Sequence, residues 1–142
     1  MERKALRHLL DWKARPGRKP LVLRGARQVG KSYLARLLAE RAFDGLVEIN
    51  LEQEPGLAEL FASKDPARIL PRLELAKGQA IVPGRTLLFL DEIQAAPQLL
   101  ATLRYFHEQA PELHVIAAGS LLDFVLADHA FSMPVGRIEY LH

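Results

Sequence analysis

A glycine-rich segment, Gly25-Ala-Arg-Gln-Val-Gly-Lys-Ser32, has the residue types and spacing of a loop that binds phosphate groups. Glycines let the backbone curl so that successive N–H groups point at phosphate oxygens, and a helix that starts near Lys31 adds the partial positive charge of its N-terminus. Lys31 would bring a mobile positive charge to β- and γ-phosphates, and the Ser32 hydroxyl is an oxygen ligand of the kind that Mg²⁺ prefers. The residues predicted to bind the nucleotide are Gly25, Ala26, Arg27, Gln28, Val29, Gly30, Lys31, Ser32 and Tyr33.

Two residues of this set have alternatives that the sequence leaves open. Arg27, inside the loop, either contacts the nucleotide or faces water. Tyr33 either packs as an ordinary helical aromatic or stacks on a base.

A second candidate for chemistry is the acidic pair Asp91-Glu92, which directly follows the apolar run Leu87–Leu90. In phosphate-loop enzymes an acid at the end of a buried strand holds Mg²⁺, and a second acid can orient and deprotonate a water for in-line attack on the γ-phosphate. We therefore assign Asp91 to Mg²⁺ and Glu92 to the water. Many strands end in acids, so the assignment depends on the position of the pair, 60 residues after Lys31.

The elements that must position these residues alternate between helix and strand. Runs that are almost entirely apolar predict strands at Leu21–Leu23, Thr86–Leu90 and His114–Ala118. The alternating segment Leu46–Asn50 predicts another strand, and a further strand is expected to begin within Val135–Leu141. Helical spacing predicts helices over residues 2–14, 31–43, 54–63, 66–77, 97–109 and from Leu121. Fully apolar strands that alternate with helices are typical of an α/β fold with a parallel sheet covered on both faces.

Two prolines mark boundaries in this pattern. Pro71 either interrupts the helix over 66–77 or lies in its first turn, because proline removes a backbone donor. Pro97 suits the first turn of the helix over 97–109.

Length and composition restrict the class of protein. With 142 residues, 49% hydrophobic and 25% charged, the chain is an ordinary one-domain globular protein rather than a disordered or fibrous one. Its longest apolar runs are four residues, far short of the ~20 that a membrane helix needs, and no apolar stretch typical of a signal peptide follows the N-terminus. Cysteine is absent. We expect a cytoplasmic chain with no membrane partner.

Charge is distributed unevenly. Residues 1–41 contain 12 Lys and Arg against 3 acids, a balance of +9, and residues 42–142 contain 7 against 14, a balance of −7. A basic segment predicts a polyanionic partner such as nucleotide phosphates, nucleic acid or a membrane surface, or else a solvated basic helix. No recognition-helix motif supports nucleic-acid contacts by the basic residues of segment 2–19, which are Arg3, Lys4, Arg7, Lys13, Arg15, Arg18 and Lys19.

Three segments carry a resemblance to a known family. Gly25–Ser32, Leu87–Gln94 and Ala118–Ser120 together resemble the additional-strand catalytic-Glu class of P-loop ATPases. They are most similar to bacterial and archaeal AAA+-type ATPases with "GARQVGKT", "LDEIQ" and "TGS" segments and a C-terminal domain of unknown function. The resemblance implies ATP and Mg²⁺ as ligands. It also implies a three-layer fold in which Val115–Ala118 lies between the phosphate-loop strand and the Asp-Glu strand.

The same resemblance implies two more catalytic residues beside Lys31 and Glu92. Ser120 would take the position of the first sensor residue, which contacts the γ-phosphate or the attacking water. It also has the pattern of a helix N-cap with Asp123 three residues later, and both roles are compatible. Arg137 would correspond to the arginine that acts on a neighbouring subunit's site, or would be a solvated residue at a strand edge.

Family members are well over twice as long as this chain. We therefore expect residues 1–19 to form a basic helix and turn, and residues 20–142 to form an ATPase core without the C-terminal part of the family. The predicted partners are ATP, a second copy bound through the ATPase face, and the missing C-terminal domain.

The predicted function is Mg²⁺-dependent ATP hydrolysis, with a nucleotide-dependent switch of little intrinsic hydrolysis as the alternative. A small-molecule kinase is less consistent with the sequence, which has no arginine-rich lid segment and has an acidic pair suited to water activation. The five histidines show no metal-ligand spacing.

Overall fold

Parallel strands form a single sheet at the centre of the molecule. The computed structural model of the chain describes residues 2–23, 28–119 and 139–141. In these residues the sheet has five strands in the order β2-β3-β4-β1-β5, namely β1 (Leu21–Leu23), β2 (Gly45–Asn50), β3 (Thr86–Asp91), β4 (His114–Ala118) and β5 (Glu139–Leu141). Every neighbouring pair is parallel, and β4 pairs with β1 on one side and β3 on the other. The intervening position predicted for Val115–Ala118 is confirmed.

Helices cover both faces of the sheet. They are α1 (Glu2–Ala14), α2 (Gln28–Ala42), α3 (Pro66–Lys77) and α4 (Leu99–Gln109), with short 3₁₀ helices at Pro55–Phe61 and Ile93–Ala95. Successive side chains of a strand point to opposite faces. Leu87 and Phe89 accordingly pack with α1 and α2, whereas Leu88 and Leu90 pack with α3 and α4. The predicted three-layer α/β fold is confirmed.

Two helix starts differ from the prediction. The helix after β1 begins at Gln28 rather than Lys31, so Gly30 belongs to the helix rather than to the loop. Glycine destabilises the middle of a helix by roughly 0.5–1 kcal/mol relative to alanine, but Gly30 lies in the first turn of α2. α4 begins at Leu99 rather than Pro97, and the Pro97 carbonyl instead accepts a turn hydrogen bond from the Leu100 N–H at 3.1 Å.

Two other segments differ in kind. The segment predicted as a helix over 54–63 is the 3₁₀ helix Pro55–Phe61. Pro71 neither interrupts α3 nor lies in its first turn, because it is an exposed interior residue of a continuous helix. The helix forgoes one backbone hydrogen bond at that residue. It is fixed at its start by Asp65, whose side chain accepts from the Ala67 N–H, and ends at left-handed Gly78.

α1 is anchored to the sheet by a polar contact at the start of β4. The buried His114 ring lies edge-on to Trp12 and Phe43, with centroid distances of 5.6 and 5.0 Å. Arg18 Nη2 lies 3.1 Å from His114 Nδ1, and His114 Nε2 lies 3.3 Å from the Lys13 carbonyl oxygen. Because a guanidinium only donates, Nδ1 accepts and Nε2 carries the proton that it donates to Lys13. The contact therefore requires a neutral imidazole.

This contact predicts a fold that weakens in mild acid. Burial, reinforced by the charge of Arg18, lowers the pKa of His114 to about 4, whereas the unfolded ring has its ordinary value of 6.5. The neutral ring therefore stabilises the fold fully above pH 6.5. As the pH falls from 6.5 towards 4, the free energy of unfolding decreases by up to about 3 kcal/mol. Urea unfolding at several pH values should show that the free energy of unfolding falls more steeply with decreasing pH in the wild-type chain than in His114→Gln. His8→Gln, which changes an exposed histidine of α1, should keep the wild-type slope. Equal slopes in all three proteins would contradict the assignment.

Candidate functional site

The N-terminus of α2 lies just beyond β1, where the phosphate-loop motif predicts it. The first turn of α2 contains no acidic residue, and its N–H groups have no partner within the helix, so these groups and the helix dipole favour an anion. Gly30 is exposed there, with open space where a side chain would be. Five predicted site residues lie outside the described part of the chain, and their roles stay predictions: Gly25, Ala26, Arg27, Ser120 and Arg137.

Lys31 reaches across the carboxyl end of the sheet. Its Nζ donates a 2.8 Å hydrogen bond to the carbonyl oxygen of Gly119, the residue that directly follows β4. The lysine is almost completely buried, with 9% of its surface exposed. A buried ammonium group is costly unless its donors are satisfied, so the carbonyl stabilises a charge that the fold has taken out of water.

Ser32 and Asp91 are in direct contact, although 59 residues separate them in the chain. Ser32 Oγ donates to Asp91 Oδ2 at 2.6 Å, and Asp91 Oδ1 accepts from the Glu92 N–H at 2.9 Å. Both side chains are buried. The pair combines a hydroxyl and a carboxylate oxygen, which fits Mg²⁺, an ion that takes one or two protein oxygens beside water and phosphate. The described residues contain no group of three or more His, Asp and Glu side chains that could hold a metal ion.

Glu92 is held in an uncommon backbone conformation at the end of β3. Its φ and ψ are 55° and 45°, in the left-handed region that costs a non-glycine residue about 1–3 kcal/mol. Only 4% of the residue is exposed. Burial raises the pKa of Glu92, a hydrogen bond from Gln94 opposes this rise, and the carboxylates of Asp91 and Glu52 add to it. A carboxylate with a raised pKa is a better proton acceptor near neutral pH.

Two further residues complete the cluster and were not predicted. Gln94 Nε2 donates to Glu92 Oε1 at 3.1 Å. The other end of the Gln94 carboxamide lies against Gly119, where an added Cβ would overlap with Gln94 Oε1. Gln94 was part of the segment that carried the family resemblance, but no spacing rule assigned it a role.

The structure therefore brings together four predicted residues: Lys31, Ser32, Asp91 and Glu92. Tyr33, predicted to contact the nucleotide, is 46% exposed on α2. Gln28 and Val29 belong to the first turn of α2. None of the described helices is both long and apolar enough to cross a membrane.

Comparisons with known proteins agree with this fold. A search of curated proteins finds no match. Among solved structures, a Walker-type ATPase of Pyrococcus abyssi superimposes with a TM-score of 0.54 at 19% identity, covering 100% of this chain and 54% of that one. The Orc1 protein of Aeropyrum pernix, solved in complex with DNA, has a TM-score of 0.54 at 16% identity, covering 99% of this chain and 44% of that one. The chain thus spans about half the length of these two proteins, which share its fold.

The family model described as "AAA domain" matches residues 17–142, which include every strand of the sheet and the whole Lys31–Glu92 cluster. The chain therefore belongs to the AAA domain family and has the nucleotide-binding fold of AAA+-type P-loop ATPases.

Proposed function

We propose that this domain binds ATP together with Mg²⁺ and hydrolyses the terminal phosphate. The observation that carries the proposal is the 2.6 Å contact between Ser32 and Asp91. This contact joins α2, whose first turn suits phosphate, to Asp91 at the end of β3, which Glu92 directly follows. Binding groups and a proton acceptor thereby meet at one edge of the sheet.

Lys31 and the α2 N-terminus would bind the phosphates. To do so, Lys31 Nζ would exchange its hydrogen bond with the Gly119 carbonyl for phosphate oxygens. The exchange replaces a neutral acceptor with a charged one, which strengthens the hydrogen bond. Arg27 remains a proposed contact to the nucleotide, and Tyr33 is a proposed contact at the exposed rim.

Ser32 and Asp91 would hold Mg²⁺, the serine through its hydroxyl and the aspartate through its carboxylate. Held by these two residues, Mg²⁺ would supply positive charge that offsets the negative charge developing on the phosphates. Ser32 Oγ already donates to the carboxylate, so its lone pairs are the part of the hydroxyl available to a cation.

Glu92 would act as the general base. It would accept a proton from a water as the water oxygen forms a bond to the γ-phosphorus, while the bond to the bridging oxygen breaks and ADP leaves with its electron pair. Ser120 is proposed to contact the γ-phosphate or the water, and Arg137 is proposed to act on the site of a neighbouring copy. Self-association through the ATPase face belongs to the same proposal.

A nucleotide-dependent switch with little intrinsic hydrolysis is the second candidate. The observation that favours it is that both key groups are engaged within the fold. Lys31 donates to the Gly119 carbonyl, and the Glu92 carboxylate accepts from Gln94. If the first contact persists with ATP bound, the domain would bind nucleotide and change shape without turnover.

Magnesium dependence tests the proposal. Phosphate release from ATP should rise with Mg²⁺ and stop in EDTA. Ser32→Ala should need at least about tenfold more Mg²⁺ for half-maximal phosphate release. The substitution removes Ser32 Oγ, and loss of a polar contact to a charged group costs about 1.5–3 kcal/mol. Ser63→Ala, at an exposed serine outside the Lys31–Glu92 cluster, should match the wild-type chain. ATP binding without phosphate release at any Mg²⁺ concentration would favour the switch, and release that is insensitive to EDTA would contradict the metal site.

A further inference from the structure

We infer that Gln94 is a positioning residue that orients the Glu92 carboxylate for hydrolysis, an inference that depends on the proposed function. Its side chain joins Glu92 to Gly119, the residue whose carbonyl binds Lys31. Gln94 thus lies between the proposed base and the contact of the proposed phosphate-binding lysine.

The backbone around Gln94 is well determined by hydrogen bonds. The short 3₁₀ helix Ile93–Ala95 begins at left-handed Glu92, and the Ala95 N–H donates to the Glu92 carbonyl at 3.0 Å. Ile93 is fully buried and fixes this turn in the core. The left-handed conformation of Glu92 therefore lies at the start of a tight turn. Within this turn the side chains of Glu92 and Gln94 are hydrogen-bonded to each other.

The Gln94 carboxamide has one defined orientation. A carboxylate only accepts, so the amide nitrogen must face Glu92 and Oε1 must face away from it. Oε1 is buried and accepts no hydrogen bond from the described residues. Buried acceptors are seldom left unpaired, and the contact with Glu92 is the interaction that explains why this side chain stays in the site.

Gly119 provides the space that the carboxamide occupies. The φ angle of Gly119 is outside the left-handed region, so its backbone does not require glycine. The close approach of Gln94 Oε1 does require it, because a Cβ at residue 119 would overlap with this atom while its other neighbours stay 3.4 Å away. An alanine at this position would therefore displace the end of the Gln94 side chain and little else.

The effect of Gln94 on the reaction would come through geometry. A free glutamate rotates about its last side-chain bond, which has a broad torsional preference. A hydrogen bond to one carboxylate oxygen restricts that rotation and aims the other oxygen. General-base catalysis requires the base within hydrogen-bond reach of the water, so loss of this restraint lowers turnover rather than ATP binding.

The test compares Gln94→Leu with Gln98→Leu in the full chain. Gln98 is exposed and its side chain makes no capping hydrogen bond, so it is a matched control. We expect Gln94→Leu to lower kcat about tenfold, with the KM and Kd for ATP and the melting temperature at wild-type values. Gln98→Leu should leave all four quantities unchanged. An unchanged kcat in Gln94→Leu, or a kcat that falls only together with the melting temperature, would overturn the inference.

A double-mutant cycle supplies the second arm. Gly119→Ala should lower kcat in the wild-type background, because it displaces the carboxamide, and should have no effect in the Gln94→Ala background. Equal effects of Gly119→Ala in both backgrounds would overturn the role of Gln94. Glu92→Gln distinguishes failure of the proposed function from failure of the role of Gln94. Wild-type turnover in that variant overturns the proposed function, whereas a slow Glu92→Gln beside a fast Gln94→Leu overturns this inference alone.

Discussion

Glu92→Gln is expected to bind ATP as the wild-type chain does and to release phosphate at least about 100-fold more slowly, because general-base catalysis contributes about 10²–10⁴ in rate. Glutamine has the same length as glutamate and retains an oxygen that can accept from Gln94. The substitution therefore removes the basic oxygen while leaving the hydrogen bond in place. Binding is measured by equilibrium titration with ATP, and turnover by the rate of phosphate release.

A stability measurement separates loss of the base from loss of the fold. Burial disfavours the charged form of Glu92, so its neutral replacement should leave the melting temperature equal or higher. Glu40→Gln removes a carboxylate from the exposed side of α2 and should keep wild-type turnover. Wild-type turnover in Glu92→Gln would show that another group accepts the proton.

Lys31→Ala is expected to lose ATP binding, with Kd raised at least about 100-fold, because a buried charge-assisted contact to phosphate contributes several kcal/mol. Lys31 is nearly buried beside Gly119, so salt should screen its contact with phosphate only weakly. Equilibrium binding of a fluorescent ATP analogue measures the change.

Lys4→Ala is the matched control, because Lys4 is an exposed lysine of α1. It should leave Kd unchanged although it removes the same charge from the chain. A wild-type Kd in Lys31→Ala, or an equal loss in both variants, would show that the basic segment attracts ATP by general electrostatics rather than through the phosphate loop.

Much of the site could be predicted because its residues belong to local patterns. Lys31 and Ser32 are part of a motif whose spacing has a direct physical purpose, and Asp91 and Glu92 end a strand that is apolar throughout. The contact between Ser32 and Asp91 depends on the order of the strands, however, and β4 lies between β1 and β3. Local patterns do not determine that order, and it was the family resemblance that predicted it.

Other features could not be predicted because they depend on contacts between distant segments or on one backbone angle. Gln94 and Gly119 meet only because the turn after β3 packs against the end of β4. The left-handed conformation of Glu92 is uncommon for this residue type, so nothing in its sequence indicates it. Helical spacing predicted α1, but the buried contact of His114 with residues about 100 positions earlier depends on the tertiary fold.

The most direct test of the proposed site is a crystal structure of the chain with Mg²⁺, ADP and aluminium fluoride, which mimics the phosphoryl group during transfer. The proposal predicts Lys31 Nζ on the fluoride or the β-phosphate instead of the Gly119 carbonyl. It also predicts Mg²⁺ bound by Ser32 Oγ beside Asp91, and a water between Glu92 and the aluminium. Nucleotide bound away from the α2 N-terminus, or bound there with Lys31 still on Gly119 and no metal at Ser32, would contradict it.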